Sequence, residues 1–235
     1  MENIFQFKQF KVHHQQSTLK VGTDAILLGA LADINNTEKI LEIGSGCGVI
    51  SLMLAQRSNA FIDAIDIDKK SCDEAIKNIE ISPWHNQIKI SNISFQNYCK
   101  ITEYQYDLII SNPPFFSNSL KSSDINKNLA KHNDNLSFEE LAKGIYKLLK
   151  NNGKACIILP VNEANKFKLE SLKQYLHCQK EIEIYTSAKK PISRILMQFG
   201  KEIKLYTKEK LTIMDEKQNY TQEYKNLTQD YYLHF

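Results

Sequence analysis

From Lys39 onward the chain alternates short apolar runs with helical stretches: strand over 39–43, helix over 49–56, strand over 60–65, helix over 69–79, and strands over 88–90 and 106–111. Runs of this length with little polar alternation are buried on both faces, and helices between them predict a parallel sheet covered on both sides. A later helix starts at Ser137 with Glu140 three residues on, as in a capping box. It runs to about Lys150, where Asn151-Asn152-Gly153 is expected to end it. A strand over 154–159 follows, then a helix over 162–175 introduced by Pro160. Strands over 178–186 and 192–199 form a hairpin of the kind that closes one edge of an otherwise parallel sheet. The fold class is α/β.

The flanks are simpler. Residues 5–12 alternate apolar and polar side chains and predict a short strand or hairpin arm; 13–17 is a polar turn. Gly22-Thr23-Asp24 precedes an apolar helix over 25–32, capped by Thr23 or Asp24. Beyond the core, 210–214 is strand-like, a short helix lies around 222–227, and the chain closes on Tyr231-Tyr232-Leu233-His234-Phe235. The 235 residues suffice for one substantial core. The expectation is a single domain, with residues 1–38 as an N-terminal extension, 39–200 as the core and 201–235 as a C-terminal extension.

No apolar run approaches the length of a bilayer span, and the first residues lack the basic start and apolar stretch of a secretory signal, which predicts a cytoplasmic protein. Five cysteines, an odd number with no close pair, predict free thiols and no metal site. The net charge of +3 neither requires nor opposes a nucleic-acid partner, so the placement of the lysines matters more than their sum. Arg57 and Arg194 are the only arginines.

In Ile40-Leu-Glu-Ile-Gly-Ser-Gly-Cys-Gly48 the glycines allow a tight strand-to-helix turn that a ligand can approach closely. Asp66 ends the next strand about 20 residues later, where a carboxylate can accept from both hydroxyls of a ribose. That spacing alone fits a nicotinamide dinucleotide as well as an adenosyl cofactor. The glycine pattern separates them: Gly44-x-Gly46-x-Gly48 is not Gly-x-Gly-x-x-Gly, and Glu42 two residues before it would repel a pyrophosphate. The same charge would attract the amino group of a ligand resembling S-adenosyl-L-methionine. Asp68 is read as the N-cap of the following helix.

Asn112-Pro113-Pro114-Phe115 follows the strand Asp107-Leu-Ile-Ile-Ser111. Asn112 offers a side-chain carbonyl, and the prolines hold the Pro113 carbonyl in a rigid turn poor in donors. Two such acceptors can hold both hydrogens of an aromatic or amide NH₂ and aim its lone pair at a sulfonium methyl, which is catalysis by orientation and charge placement. Phe115 offers a flat face for a flipped-out base. The polar stretch over 116–135 reads as a lid or a substrate-binding loop.

These residues together resemble the bacterial tRNA adenine methyltransferases that modify the exocyclic nitrogen of the adenine beside the anticodon of a valine tRNA. The blocks that carry the resemblance are Lys20-Val-Gly-Thr-Asp-Ala-Ile-Leu-Leu-Gly29, Leu52-Met-Leu-Ala-Gln-Arg57, Ser82-Pro-Trp84, Ser111-Asn-Pro-Pro-Phe-Phe116, Ala130-Lys-His132 and Asp230-Tyr-Tyr-Leu-His-Phe235. The resemblance implies a Rossmann-like class I methyltransferase fold with a seven-stranded, mostly parallel sheet, one antiparallel edge hairpin strand and helices on both faces. It implies S-adenosyl-L-methionine as cofactor and a tRNA substrate; a monomer is expected. Asn112, Pro113, Pro114 and Phe115 would form the catalytic loop. Lys20, Gly22, Thr23 and Asp24 would lie near the cofactor with Glu42, Gly44, Gly46, Gly48, Asp66, Ile67 and Asn112.

Three departures stand out. Glu42 and Asp66 exchange the Asp and Glu usual in the family, which keeps charge and alters reach by one methylene. The end of the third strand, Ser91-Asn-Ile-Ser94, lacks the usual acid toward the cofactor adenine, leaving Asn92 or Ser94 for that contact. Lys131 stands where an arginine is usual. Lys127, Lys131, His132, Lys189, Lys190 and Arg194 are candidates for the RNA backbone, each lysine also reading as ordinary surface and Arg194 also as half of a buried pair. Trp84 reads better as packed beneath the sheet edge than as stacked on a base. The same Asn-Pro-Pro-aromatic turn is similar to that of enzymes methylating release-factor glutamine or ribosomal RNA guanine. The short stretch before the first core strand and the lack of a duplicated domain disfavour both, and a binding-only scaffold is disfavoured by the intact Asn112 and glycines.

Overall fold

The computed structural model describes residues 4–18, 20–113 and 136–234. Five of the expected strands, β3 (Lys39–Ile43), β4 (Phe61–Asp66), β5 (Ile88–Asn92), β6 (Tyr106–Ser111) and β7 (Leu149–Leu159), pair in parallel in the order β5-β4-β3-β6-β7. Their alternate residues feed two separate cores. Ile40, Leu108, Ile110 and Ile158 pack on one face, whereas Leu41, Ile43, Ile109 and Ile157 pack on the other. Burial on both faces is the reason the central strands β3 and β6 carry little polar alternation, whereas the edge strand β5 (Ile-Lys-Ile-Ser-Asn) alternates. The connecting helices are α2 (Val49–Arg57), α3 (Lys69–Glu80), α4 (Phe95–Ile101), α5 (Phe138–Leu148) and α6 (Val161–Lys173). Asp68 caps α3 through the Ser71 N–H, and the capping box of Ser137 and Glu140 starts α5, as expected for both.

The hairpin of β8 (His177–Ser187) and β9 (Ile192–Gly200) is present, but its antiparallel strand is not at the edge. β9 pairs antiparallel with both β7 and β8, and an eighth strand, β10 (Thr207–Met214), runs parallel to β8 outside it. Hairpin pairing is local and therefore legible, whereas which arm inserts beside β7 depends on contacts distant in sequence. Lys208 and Lys210 are exposed on the outermost strand, where lysines discourage further strand addition.

Asn151-Asn152-Gly153 does not end a helix. α5 stops at Leu148, and β7 begins at Leu149 opposite Tyr106; the register then jumps so that Leu108 faces Lys154. The turn-forming residues accommodate that bulge, and a Cβ on Gly153 would come within 2.9 Å of the Tyr106 carbonyl oxygen. Helix α4, absent from the expected element order, is short; its one local signal is Ser94, whose hydroxyl accepts from the Asn97 N–H. Helix α1 (Thr23–Leu31) has Gly22 at its N-cap with no side-chain cap, so neither Thr23 nor Asp24 serves that role.

Helices α4 and α5 meet at Gly144, where a Cβ would lie 2.4 Å from the Phe95 ring. Gly-to-Ala inside an exposed helix normally gains about 1 kcal/mol. Here Gly144→Ala is expected to lose about 1–3 kcal/mol through overpacking, read as a lower urea midpoint at unchanged slope.

The two extensions close against each other. In the small hairpin of β1 (Ile4–Gln6) and β2 (Lys11–His13) Phe7 stacks on Phe10 at 4.4 Å, and the Lys8 N–H donates to the Tyr231 carbonyl at 2.9 Å. The last helix, α7 (Gln222–Thr228), buries Tyr224. Trp84 meets Phe10 edge-on at 5.8 Å and packs against the core, in keeping with its structural reading. All five cysteines are free thiols, and among the described residues no helix is long and apolar enough to cross a membrane.

Candidate active site

The sheet order reverses between β3 and β6, because β3 leads to β4 on one side while β6 and β7 build outward on the other. At such a switch point the loops leaving the strands' carboxyl ends diverge and open a crevice. Ile43 is in register with Ser111 and with Ile65, and Asp66 with Asn92. Gly44, Asp66, Asn92 and Asn112 therefore occupy the same end of four adjacent strands. The buried Ser111 hydroxyl donates to the Ile43 carbonyl at 2.8 Å and ties the two walls of the crevice together directly beneath Gly44 and Asn112.

Gly44, Gly46 and Gly48 all adopt positive φ, at 79°, 51° and 81°. A side chain would strain the turn, and nothing lies within 4 Å of where a Cβ on Gly44 would be, so the space above it is open to a ligand. The turn's own N–H groups are mostly committed. Gly44 and Ser45 donate to the Ile65 carbonyl at 2.9 and 3.0 Å, Gly46 to Asp66 Oδ2 at 2.8 Å, and Gly48 to the Ser45 carbonyl at 2.8 Å. A pyrophosphate needs those donors free, so the bonding argues against a dinucleotide independently of the glycine spacing.

Asp66 accepts from Gly46 through one oxygen and from the Asp68 N–H through the other at 2.9 Å. Each carboxylate oxygen retains a second lone pair for a hydroxyl. Burial pushes the Asp66 carboxyl above its ordinary range, opposed by these backbone donors. Asn92 donates both amide hydrogens, to the carbonyls of Asp66 at 3.0 Å and Ile67 at 2.9 Å. Its orientation is thus fixed, with the side-chain oxygen left as the acceptor. A cleft of about 560 Å³ opens beside it, lined by Ile67, Asn92, Ser94, Asn97, Lys100 and Glu140 among others.

Glu42, read from the sequence as an acid that would attract a cofactor amino group, is enclosed beneath the turn. It has no exposed surface; one oxygen accepts from the Ser51 hydroxyl, and Oε1 is buried without a hydrogen-bond partner among the described residues. Burial pushes its carboxyl up to about 8, with Asp66 adding to the rise. Between about pH 4.5 and 8 the unfolded chain releases this proton while the folded chain keeps it, so stability falls as pH rises through that window, by at most about 1.4 kcal/mol per pH unit. Glu42→Gln, which can still accept from Ser51, is expected to remove that slope. Urea midpoints measured from pH 5 to 8 test this, and parallel pH profiles for the two proteins would refute it. Cys47, inside the turn, is no nucleophile: burial pushes its thiol to about 12.

Asn112 is half-buried and Pro113 buried at the opposite wall. Pro114, Phe115, Lys127, Lys131 and His132 lie outside the described residues, as does the whole 116–135 stretch. Asp24, in the first turn of α1, accepts from Arg194 Nε at 2.8 Å, so Arg194 is paired, although the pair is half-buried and not the buried pair expected. Gly22 caps α1 beside Thr23, while Lys20 lies exposed just before. Lys189 pairs with Glu216 at 3.3 Å; with Lys190 it sits on the β8–β9 turn, which the strand directions place at the same end of the sheet as Asn112. The buried polar stripe of Ser71, Glu74 and Asn78 escaped sequence reasoning, although its helical spacing was visible.

Together these features fit an adenosyl cofactor: open space over Gly44, unused acceptors on Asp66 and a buried unpartnered oxygen on Glu42. The fold and this crevice define an α/β methyltransferase. The sequence matches the family described as methyltransferase small domain over residues 14–173. It is 42% identical over 236 residues to the tRNA1(Val) (adenine(37)-N6)-methyltransferase of Trichodesmium erythraeum, covering 99% of each chain. It is 40% identical over 231 residues to the enzyme of the same name from Bacteroides fragilis, covering 98% of each. The solved structure of a predicted O-methyltransferase from Agrobacterium tumefaciens superposes with a TM-score of 0.70 at 15% identity, covering 88% of this chain and 96% of that one, a likeness of fold. The chain belongs to the tRNA1(Val) (adenine(37)-N6)-methyltransferase family.

Proposed function

We propose that this chain transfers a methyl group from S-adenosyl-L-methionine to the exocyclic N6 of the adenine at position 37 of a valine tRNA, the position in its relatives' name. The observation that carries the reading is the pairing of Ile43 with Ser111, which sets the glycine turn and Asn112 on facing walls of one crevice. The cofactor supplies a methyl group on a good sulfonium leaving group. Asp66 holds the ribose hydroxyls, and the Asn92 side-chain oxygen accepts from the adenine amine in place of the usual acid. Ser94, whose hydroxyl already caps α4, is the lesser candidate. The Asn112 side-chain carbonyl and the Pro113 carbonyl accept the two N6 hydrogens of the substrate base, which withdraws the nitrogen lone pair from the ring and aims it at the methyl carbon. As the N–C bond formed, the sulfonium S–CH₃ bond would break to leave a neutral thioether, and the excess proton of the resulting ammonium-like nitrogen would pass to solvent water, so no strong base is required.

The flipped base stacks on Phe115, and the RNA backbone is held by Lys127, Lys131, His132, Lys189 and Lys190, roles that rest on the sequence. Arg194 is reassigned from the RNA backbone to the anchoring of Asp24. The protein works as a single-domain monomer in the cytoplasm. Valine tRNA transcripts with adenine or guanine at position 37 test the specificity: methyl transfer is expected only to the first, and equal transfer to both would overturn the site assignment.

A further inference from the structure

Helix α3 carries three buried polar residues on one face, Ser71, Glu74 and Asn78, at spacings of three and four. Buried polar side chains in a helix cost stability unless they are bonded, and an apolar residue would fill the same space more cheaply. All three are bonded to one segment, residues 13–18, which runs toward Lys20–Asp24. Glu74 accepts from three successive backbone N–H groups, those of Gln15 at 2.7 Å, Gln16 at 2.9 Å and Ser17 at 2.8 Å. Asn78 accepts from the His13 N–H and donates to the His13 carbonyl, both at 2.8 Å, and its remaining hydrogen goes to the Cys47 carbonyl at 2.9 Å, inside the glycine turn. The Ser71 hydroxyl accepts from the Thr18 N–H at 3.3 Å and donates to Asp68, whose own N–H reaches Asp66. Farther on, His14 Nδ1 accepts from the Val21 N–H at 3.0 Å, and Asp24 is held by Arg194.

We propose that Glu74 and Asn78 are positioning residues for the methyl donor: they fix the 13–18 segment to the glycine turn and thereby hold Lys20–Asp24 over the cofactor site. The proposal rests on the cofactor assignment above. It explains why one helix commits two buried polar side chains to main-chain groups of a distant segment, and why one of them also grips the turn. The coupling acts on cofactor affinity and not on the chemical step, because neither residue reaches the Asn112 side of the crevice.

The test uses the full chain, S-adenosyl-L-methionine and valine tRNA. Glu74→Gln, which turns one acceptor oxygen into a donor, is expected to raise the cofactor Kd and KM about tenfold, the scale of one lost charge-assisted hydrogen bond. kcat at saturating cofactor and KM for tRNA should stay within about twofold. Asn78→Ala should act in the same direction. In the unsubstituted protein, added cofactor should slow hydrogen exchange at the amides of residues 13 and 15–17, a measurement that needs no variant to fold. Unchanged exchange on cofactor addition, or a Glu74→Gln variant that lowers kcat without raising Kd, would overturn the proposal. Failure of the unsubstituted protein to bind S-adenosyl-L-methionine would instead overturn the cofactor assignment beneath it.

Discussion

Replacing Asn112 with alanine is expected to lower kcat by about 10²–10³-fold while leaving the Kd for S-adenosyl-L-methionine within about threefold. The asymmetry follows from where Asn112 stands. It leaves the carboxyl end of β6, across the crevice from the glycine turn and two strands from Asp66, so the adenosine end of the cofactor has its partners elsewhere. What the substitution removes is an acceptor whose value grows as positive charge develops on the attacking nitrogen, and such an interaction counts in kcat more than in binding. Asn112→Asp probes the same point in the opposite sense, since it keeps the acceptor and adds a charge. Single-turnover rates with saturating tRNA, together with calorimetric cofactor titrations, separate the two effects. Equal losses of turnover and cofactor affinity would show that Asn112 serves binding.

Asp66→Ala should produce the largest loss of cofactor binding, about 100-fold in Kd. Two contributions vanish together. The ribose loses its charged acceptors, and the glycine turn loses the oxygen that ties the Gly46 N–H at 2.8 Å and the one that holds the Asp68 N–H at 2.9 Å. Charge-assisted hydrogen bonds are worth about 1.5–3 kcal/mol each when lost, and about 2.7 kcal/mol corresponds to 100-fold. Asp66→Glu keeps the charge and should bind within about tenfold of the unsubstituted protein, since the longer acid is the one usual in the family that the sequence resembles. A correctly folded Asp66→Ala protein with unchanged Kd would remove Asp66 from the site.

What could be read from the sequence was what local chemistry decides. The central parallel strands show as largely apolar runs because they are buried on both faces, and Asp68, Ser137 and the glycine turn carry their geometry within a few residues. What escaped was set by contacts between distant segments. The insertion of β9 between β7 and β8, and the addition of β10 beyond them, depend on pairings 27–44 residues apart that no short pattern encodes. Asn151-Asn152-Gly153 was turn-like in composition and does deviate from regular structure, but as a bulge facing β6 and not as a helix end. Glu42 was legible as a conspicuous acid, whereas its full burial against Ser51 follows from packing beneath the turn. Arg194 was ambiguous between RNA and an internal partner until Asp24, 170 residues away in sequence, was found opposite it. Glu74 and Asn78 went unremarked because their partners are main-chain groups, which have no signature in side-chain identity.

The most direct test of the central claim is to incubate the purified protein and isotope-labelled S-adenosyl-L-methionine with total tRNA from a strain lacking the activity, digest the RNA, and locate the label by mass. The predicted result is one labelled nucleoside, N6-methyladenosine, arising from the anticodon loop of a valine tRNA. Cofactor binding without label in any tRNA, or label on a guanine or a protein glutamine supplied in parallel, would contradict it.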